Sequence, residues 1–310
     1  MLMSEEPSNI EPKEDVTAAD LDADEENLDS ASVQEAVENI FVYARDMHTE
    51  AKISAAAHFN TELTMARSLV ASLALMALAL YGKDRASRIF PVDWVNSHGA
   101  PDPDVVIALG LSQLANYGYA VTDLVEKGLE TPARALLRPA VELSEILVMI
   151  VGDKEVFRAY SSPQTDAKDN WYQLFSRKRV EKRLASIERL FGMPEHWISY
   201  MREFRKEKTE FFSEAVHHSY RSIVIGGQPT VPGTDHVQLG LLGGPNIGSG
   251  VTLEHFTLSV SYCLNGLFAL TENVYGFTLE VPMSNFWSAG ERIFRAVDKA
   301  LLAWLSQKHG

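Results

Sequence analysis

Helix-start signals recur along this chain and constrain its fold more than any other feature. Asp102-Pro103, Thr131-Pro132 and Ser162-Pro163 each place a side-chain oxygen at an N-cap and a proline at the first helical position. No segment with period-two alternation is long enough to build a sheet. The sequence therefore predicts an all-α fold, a multi-helix bundle. The predicted helices lie near residues 32–58, 60–81, 103–127, 132–151, 164–192, 195–225, 252–276 and 284–306.

Acidic residues dominate the first 30 positions. This segment holds eleven Asp and Glu residues against Lys13, and it accounts for most of the formal net charge of −14. It has no aromatic residue and few large aliphatic ones, so it buries too little apolar surface to offset the entropy lost on ordering. We expect residues 1–30 to be a disordered acidic tail and residues 31–310 to be a single helical domain.

One long irregular stretch interrupts the helical pattern, from Gly226 to Gly250. It contains eight of the 19 glycines of the chain. A loop of this length between two long helices is usually functional or mobile. Its sequence also allows a small hairpin around Val237–Leu242.

Cysteine content and apolar segments bear on the compartment of the protein. The single cysteine, Cys263, can form neither an intramolecular disulfide nor a multi-thiolate metal site, which fits a reducing compartment. The longest apolar run, Ser68–Tyr81, is shorter than the roughly 20 residues that cross a bilayer. We expect a cytoplasmic protein with no membrane segment, no metal and no cofactor.

Ionisable side chains of the helix predicted at 132–151 gather on one face, which we call the first charged stripe. Its members are Arg134, Arg138, Glu142 and Glu145. They lie within about 80° of one another at 100° per residue, and Arg138 and Glu142 are an i,i+4 pair. The stripe can be a solvated face, a structural ion-pair network or a polar groove that lines a site.

A second charged stripe lies on the helix predicted at 195–225. Its members are Glu214, His217, His218 and Arg221. Histidine is the usual general acid or base near neutral pH, so these four residues, with Arg138 and Glu142, form the candidate catalytic cluster. Because helices this apolar would leave unpaired charges poorly solvated, we expect the stripes to pack together. Arg138 would then lie opposite Glu214, and Glu142 or Glu145 opposite Arg221.

Cations form a third cluster. Between residues 176 and 208, ten Lys and Arg residues face five Glu residues. This excess can meet nucleic-acid phosphates, although interleaved charges of both signs are also typical of a solvated helix face. The candidate nucleic-acid-binding residues are Arg177, Lys178, Arg179, Lys182 and Arg183. The cationic cluster continues on the next helix with Arg202, Arg205, Lys206 and Lys208.

Two short motifs resemble a known family. Ala135-Leu-Leu-Arg138-x-x-x-Glu142, followed about seventy residues later by Phe212-Ser213-x-x-x-His217, resembles a bacterial all-helical family classified as a domain of unknown function. The resemblance covers roughly residues 60–275. It implies a helical bundle without a known activity, with Arg138, Glu142, Ser213 and His217 as its recurring residues.

Two function classes remain open. The preferred one is a non-enzymatic helical protein that binds a partner protein or nucleic acid through the basic region or the glycine-rich loop. The alternative is a metal-independent endoribonuclease resembling the HEPN families of defence and toxin–antitoxin systems, which pair an arginine and a histidine as Arg-x4–6-His. Arg189 and His196 match that spacing, and Arg221 with His217 is the rival assignment.

Overall fold

The fold is entirely helical, as predicted. A computed structural model describes residues 30–81, 103–161, 167–217, 219–275 and 285–309, and within these ranges it contains eleven helices and no strand. The chain divides into two compact units, Met1–Arg45 and Asp46–Gly310. All sites discussed below lie in the second unit. The predicted acidic tail lies outside the described residues except for Ser30.

The helices are α1 (Ser30–His58), α2 (Asn60–Tyr81), α3 (Pro103–Glu126), α4 (Glu130–Gly152), α5 (Lys154–Tyr160), α6 (Ala167–Leu174), α7 (Arg177–Leu190), α8 (Glu195–Val216), α9 (Tyr220–Gly227), α10 (Gly248–Tyr275) and α11 (Asn285–His309). Of the three predicted cap–proline starts, one is confirmed, the cap at Thr131 is wrong because Leu129 is the N-cap of α4, and Ser162-Pro163 lies outside the described residues. Pro103 is the first residue of α3, while α4 begins two residues before the predicted Pro132.

Five long helices form the core of the second unit. Helix α2 packs against α3 and α11, and α4 packs against α3 and α10. Leu69, Leu73 and Met76 of α2 and Leu111 and Leu114 of α3 are completely buried. Burying a large aliphatic side chain contributes about 1.5–3 kcal/mol, so this packing, rather than intrinsic helix propensity, holds the helices in place.

Two of these core helices are long and apolar enough to cross a membrane by length and composition alone. The segments are Asn60–Leu80 and Val105–Glu126. For the first segment we expected only the shorter apolar run Ser68–Tyr81. The segment is longer because the helix begins eight residues earlier, at Asn60. A buried core helix passes the same test, and about half of each segment is buried against the rest of the protein.

Helix α4 is surrounded by other helices. It packs against α3 and α10 and also against α5, α7, α8 and α9. Ala133, Leu137, Ala140 and Leu147 are buried along its length. Pro139 lies inside the helix and cannot donate a backbone hydrogen bond there. Consequently α4 contacts most of the elements that line the cavities described below.

Two predicted helices prove to be broken, and a side-chain cap explains the second break. The helix predicted at 164–192 is split into α6 and α7, with Ser176 at the N-cap position of α7. The helix predicted at 195–225 ends at Val216, and α9 begins anew at Tyr220. The Ser219 hydroxyl accepts a hydrogen bond from the Ser222 amide and so caps α9.

The glycine-rich stretch is irregular from Gln228 to Ile247, within the predicted bounds. The suggested hairpin around Val237–Leu242 is wrong, because a single isolated bridge pairs Thr230 with Val237 instead. The stretch packs closely on the turn between α3 and α4. A Cβ on Gly128, whose φ is +70°, would lie 1.8 Å from the Gly244 carbonyl oxygen, so this contact requires glycine.

Replacing Gly118 of α3 by alanine tests the described core packing. A Cβ at this position would lie 2.3 Å from Cζ of Phe256 and 2.7 Å from Cγ2 of Val70. Overpacking costs about 1–3 kcal/mol, whereas the gain in helix propensity is about 1 kcal/mol. We expect Gly118→Ala to lower the free energy of unfolding, measured by urea denaturation.

Gly227→Ala is the matched control, because a Cβ there meets no atom within 4 Å. It should leave the free energy of unfolding within about 0.5 kcal/mol of the parent protein. A Gly118→Ala variant as stable as this control would contradict the close contact of α3 with α2 and α10.

Candidate functional site

Part of the first charged stripe lines a cavity between α4, α7 and α8, which we call the mixed-charge cavity. Its volume is about 260 Å³. Arg138 Nε donates to Glu142 Oε1 at 3.1 Å, and both side chains are partly exposed. The cavity is lined by Arg138, Glu142, Glu145, Ile146, Met149, Phe175, Ser176, Arg177, Val180, Glu181, Arg205 and Thr209.

A second cavity, which we call the basic cavity, lies on the other side of α7. Its volume is about 630 Å³. Four cations and one carboxylate line it, which makes it strongly positive. The lining residues are Gly152, Asp153, Lys154, Gln173, Arg179, Lys182, Arg183, Ser186, Ile187 and Leu190.

Helix α7 separates the two cavities because its cations lie on opposite faces. At 100° per residue, Arg177 and Glu181 lie on one face, and Arg179, Lys182 and Ser186 lie on the other. The structure agrees, since Arg177 lines the mixed-charge cavity and Arg179 lines the basic cavity. Lys178 lines neither. The five predicted nucleic-acid-binding residues are therefore not one surface, and helical periodicity was the signal that would have separated them.

A cluster of buried charges lies beside the mixed-charge cavity. Arg205 Nη1 bonds Glu188 Oε1 at 2.7 Å, and Arg205 Nη2 lies 3.1 Å from Glu181 Oε2. The Tyr262 hydroxyl donates to Glu188 Oε1 at 2.8 Å. Burial lowers the pKa of Arg205, but Tyr262, Glu188 and Glu181 together hold it above the usual arginine value. This cluster joins α7, α8 and α10.

A buried lysine adjoins the same cluster. Lys208 Nζ lies 3.7 Å from Glu145 Oε1 and 3.3 Å from Ser259 Oγ, and it sits 4.4 Å from the centroid of the Phe204 ring. Burial lowers the pKa of Lys208 to about 8, while Glu145 acts in the opposite direction. Glu145 therefore joins the mixed-charge cavity to the buried interior.

Arg205 and Lys208 were expected on a solvated basic face, and that expectation is wrong. Each side chain is only 3% exposed. They follow the apolar face of α8 at i, i+3, i+4, i+7 and i+11, a spacing that the sequence already contained. The buried residues in this register are Met201, Phe204, Arg205, Lys208 and Phe212.

The first member of the first stripe lies elsewhere. Arg134 is 1% exposed, and its Nε is 3.5 Å from Glu130 Oε1. Its Nη2 donates to Ser222 Oγ at 3.3 Å, and its guanidinium lies over the Phe211 ring. Arg134 is thus a structural residue that attaches α4 to α9 and α8.

The second charged stripe does not form one helical arc. His217 is the exposed C-cap of α8, whereas Arg221 is on α9. Arg221 Nη1 lies 3.6 Å from Glu214 Oε1, and the Arg221 side chain is 75% exposed. His218 lies outside the described residues. The break at Ser219 thus places Arg221 on a different helix from Glu214, although the two side chains still pair.

The predicted pairing between the two stripes is also wrong. Among the described residues, Arg138 pairs with Glu142 and Glu214 pairs with Arg221, and no ion pair crosses between the stripes. Both pairs have enough solvent contact that neither needed the other for charge compensation. The structure therefore brings together Arg138 and Glu142, but not these two with Glu214 and His217.

In the alternative arginine–histidine pair, the arginine forms a local ion pair. Arg189 Nε and Nη2 bond the two carboxylate oxygens of Glu195 at 2.6 Å and 3.2 Å. The His196 ring instead contacts the Trp197 ring, with centroids 5.9 Å apart. Within the described residues no group of three His, Cys, Asp or Glu side chains could hold a metal ion.

Comparisons of the chain with protein-family models, curated proteins and solved structures find no match. The resemblance to the helical family of unknown function and to HEPN ribonucleases therefore stays a prediction.

Substitutions at Arg138 and Arg205 distinguish the exposed pair from the buried network. Arg138→Leu should lower the free energy of unfolding by less than about 1 kcal/mol, because Glu142 keeps its solvent contact. Arg205→Leu should lower it by about 3–5 kcal/mol, because Glu188 would be left buried and unpaired. Both values can be measured by urea denaturation. Equal losses would contradict the described burial.

His255 makes the fold sensitive to acid. It packs among the rings of Phe204, Phe211 and Phe212, with centroids 5.3 Å, 5.3 Å and 5.8 Å away, and its Nδ1 is buried without a hydrogen-bond partner. Burial, reinforced by the charge of Lys208, lowers the pKa of His255 to about 3 from its ordinary 6.5.

Between these two pKa values the unfolded chain binds a proton on this imidazole and the folded protein does not. Stability is therefore lost as pH falls below 6.5, by up to about 1.4 kcal/mol per pH unit from this group. In His255→Phe, the free energy of unfolding should fall less steeply between pH 6.5 and 4.5. Parallel pH profiles for both proteins would rule out a buried neutral His255.

Proposed function

We propose that this protein is a non-enzymatic module that binds nucleic acid through the phosphates, and that the basic cavity is its binding site. The observation that supports this most is the convergence of Lys154, Arg179, Lys182 and Arg183 around one open cavity of about 630 Å³. Such a concentration of positive charge attracts phosphates irrespective of base sequence.

The cations of this cavity are held in place by the surrounding elements. Arg183 Nη1 donates to Asp153 Oδ2 at 3.0 Å, and Arg179 Nη1 donates to the Gln173 carbonyl at 2.5 Å. The other Asp153 oxygen accepts from the backbone amides that open α5. Two arginines are thus oriented by α5 and α6 before any ligand binds, which reduces the entropy lost on binding.

Lys182 differs from these arginines. It is exposed, and the described residues offer it no ion pair. In addition, the first turn of α7 carries no acidic residue that would compensate the helix dipole, which disfavours the cations located there. A bound phosphate would compensate both the unpaired charge of Lys182 and the unfavourable interaction with the dipole.

We propose that the module acts in the cytoplasm, consistent with a single thiol that is buried at Cys263.

An endoribonuclease of the HEPN type is the alternative to be tested alongside. It would place cleavage chemistry at Arg221 and His217, or at Arg189 and His196.

Fluorescence anisotropy with a labelled 20-nucleotide RNA tests the proposal. Arg179→Gln combined with Lys182→Gln should weaken binding at least about tenfold and reduce the slope of log K against log salt by about 1.4. The matched control combines Lys178→Gln with Arg202→Gln, two exposed cations outside the basic cavity. It removes the same charge and should have a much smaller effect.

Equal weakening in the two double variants would contradict the assignment to this cavity and reduce the interaction to net charge. The same RNA samples, analysed on a denaturing gel after incubation, should remain intact. Cleavage that disappears in His217→Ala or His196→Ala would replace the binding proposal with the ribonuclease alternative.

A further inference from the structure

We propose that the mixed-charge cavity binds a small zwitterion, an α-amino acid with an apolar side chain. This site goes beyond the proposed nucleic-acid binding, because it lies on the opposite face of α7 and shares no lining residue with the basic cavity. Three features of its wall specify the ligand: an available guanidinium, a group of carboxylates and an apolar surface.

Arg177 supplies the position for the ligand carboxylate. It is the first residue of α7, its side chain is exposed, and no described residue forms an ion pair with it. Guanidinium groups bind carboxylates through two parallel hydrogen bonds. The neighbouring Ser176 occupies the N-cap position without making a side-chain capping bond, so its hydroxyl is available as a second donor.

Three carboxylates supply the position for the ligand ammonium. Glu142 is paired with Arg138, Glu145 with Lys208, and Glu181 with Arg205. A carboxylate has about four acceptor positions, so each retains capacity for a further donor. The side chains of Glu142 and Glu181 are 39% and 26% exposed, and both line the cavity.

The overall charge of the wall favours a ligand without net charge. Three arginines and three glutamates line the cavity, so either a simple anion or a simple cation would leave one group of wall charges poorly compensated on desolvation. A zwitterion satisfies both groups. These residues are Arg138, Arg177, Arg205, Glu142, Glu145 and Glu181.

The remaining wall is apolar and limits the size of the ligand. Ile146, Met149, Phe175 and Val180 face the cavity, and Met149 is completely buried. The volume of about 260 Å³ is below the roughly 300–1,000 Å³ of sites for drug-sized ligands. An amino acid of the size of leucine fits these dimensions and would bury its side chain against this wall.

Isothermal titration calorimetry of the full chain with four probes tests the site. L-Leucine should bind, whereas 4-methylpentanoate, which lacks the ammonium, and 3-methylbutylamine, which lacks the carboxylate, should each bind at least about tenfold more weakly, because one charged hydrogen bond is worth about that factor. Glycine should also bind more weakly, because it leaves the apolar wall uncovered. An absence of leucine binding, or binding of either single-charge analogue as tight as that of leucine, overturns the proposal.

A variant pair locates the binding. Arg177→Gln should weaken leucine binding at least about tenfold, and Lys178→Gln, the adjacent exposed cation outside the cavity, should leave it unchanged. Leucine binding that survives Arg177→Gln would overturn the assignment to this cavity. RNA binding by Arg177→Gln, measured in parallel, should remain at the parent level, so a failure here is distinguishable from a failure of the nucleic-acid proposal.

Discussion

The buried guanidinium of Arg205 is the interaction on which this part of the structure depends. It lies between α7 and α8, and Glu188, its closest partner, also receives the hydroxyl of Tyr262 from α10. A buried charge without its partner costs several kcal/mol, so the three helices can meet only in the register that closes this cluster. Lys208 extends the same constraint to α4 through Glu145.

That register determines how α7 is presented to its surroundings. With Glu181 and Glu188 directed toward α8, the opposite face of α7, with Arg179 and Lys182, is left to form the basic cavity with α5 and α6. One short helix therefore contributes to two cavities of different chemistry. Arginines in the first turn serve both, Arg177 on one side and Arg179 on the other.

The two charged stripes show how far periodicity carries a prediction. For α4 the arc of Arg138 and Glu142 was correct, because this helix continues through Pro139. For α8 the arc failed at its end, because the Ser219 side chain caps a new helix, α9, which carries Arg221. Short polar side chains decide such breaks, and the same Ser or Thr residues also occur inside continuous helices.

By itself the sequence determined the all-α class, the approximate extent of most long helices and the irregular stretch before α10, because these depend on local caps, prolines and hydrophobic periodicity. Only the tertiary structure decided which charges are buried. Arg205 and Lys208 look like their neighbours Arg202 and Lys206 in a list of cations, yet their exposure depends on which helix covers that face. Both cavities were decided there as well, because each depends on residues from at least three helices meeting in space.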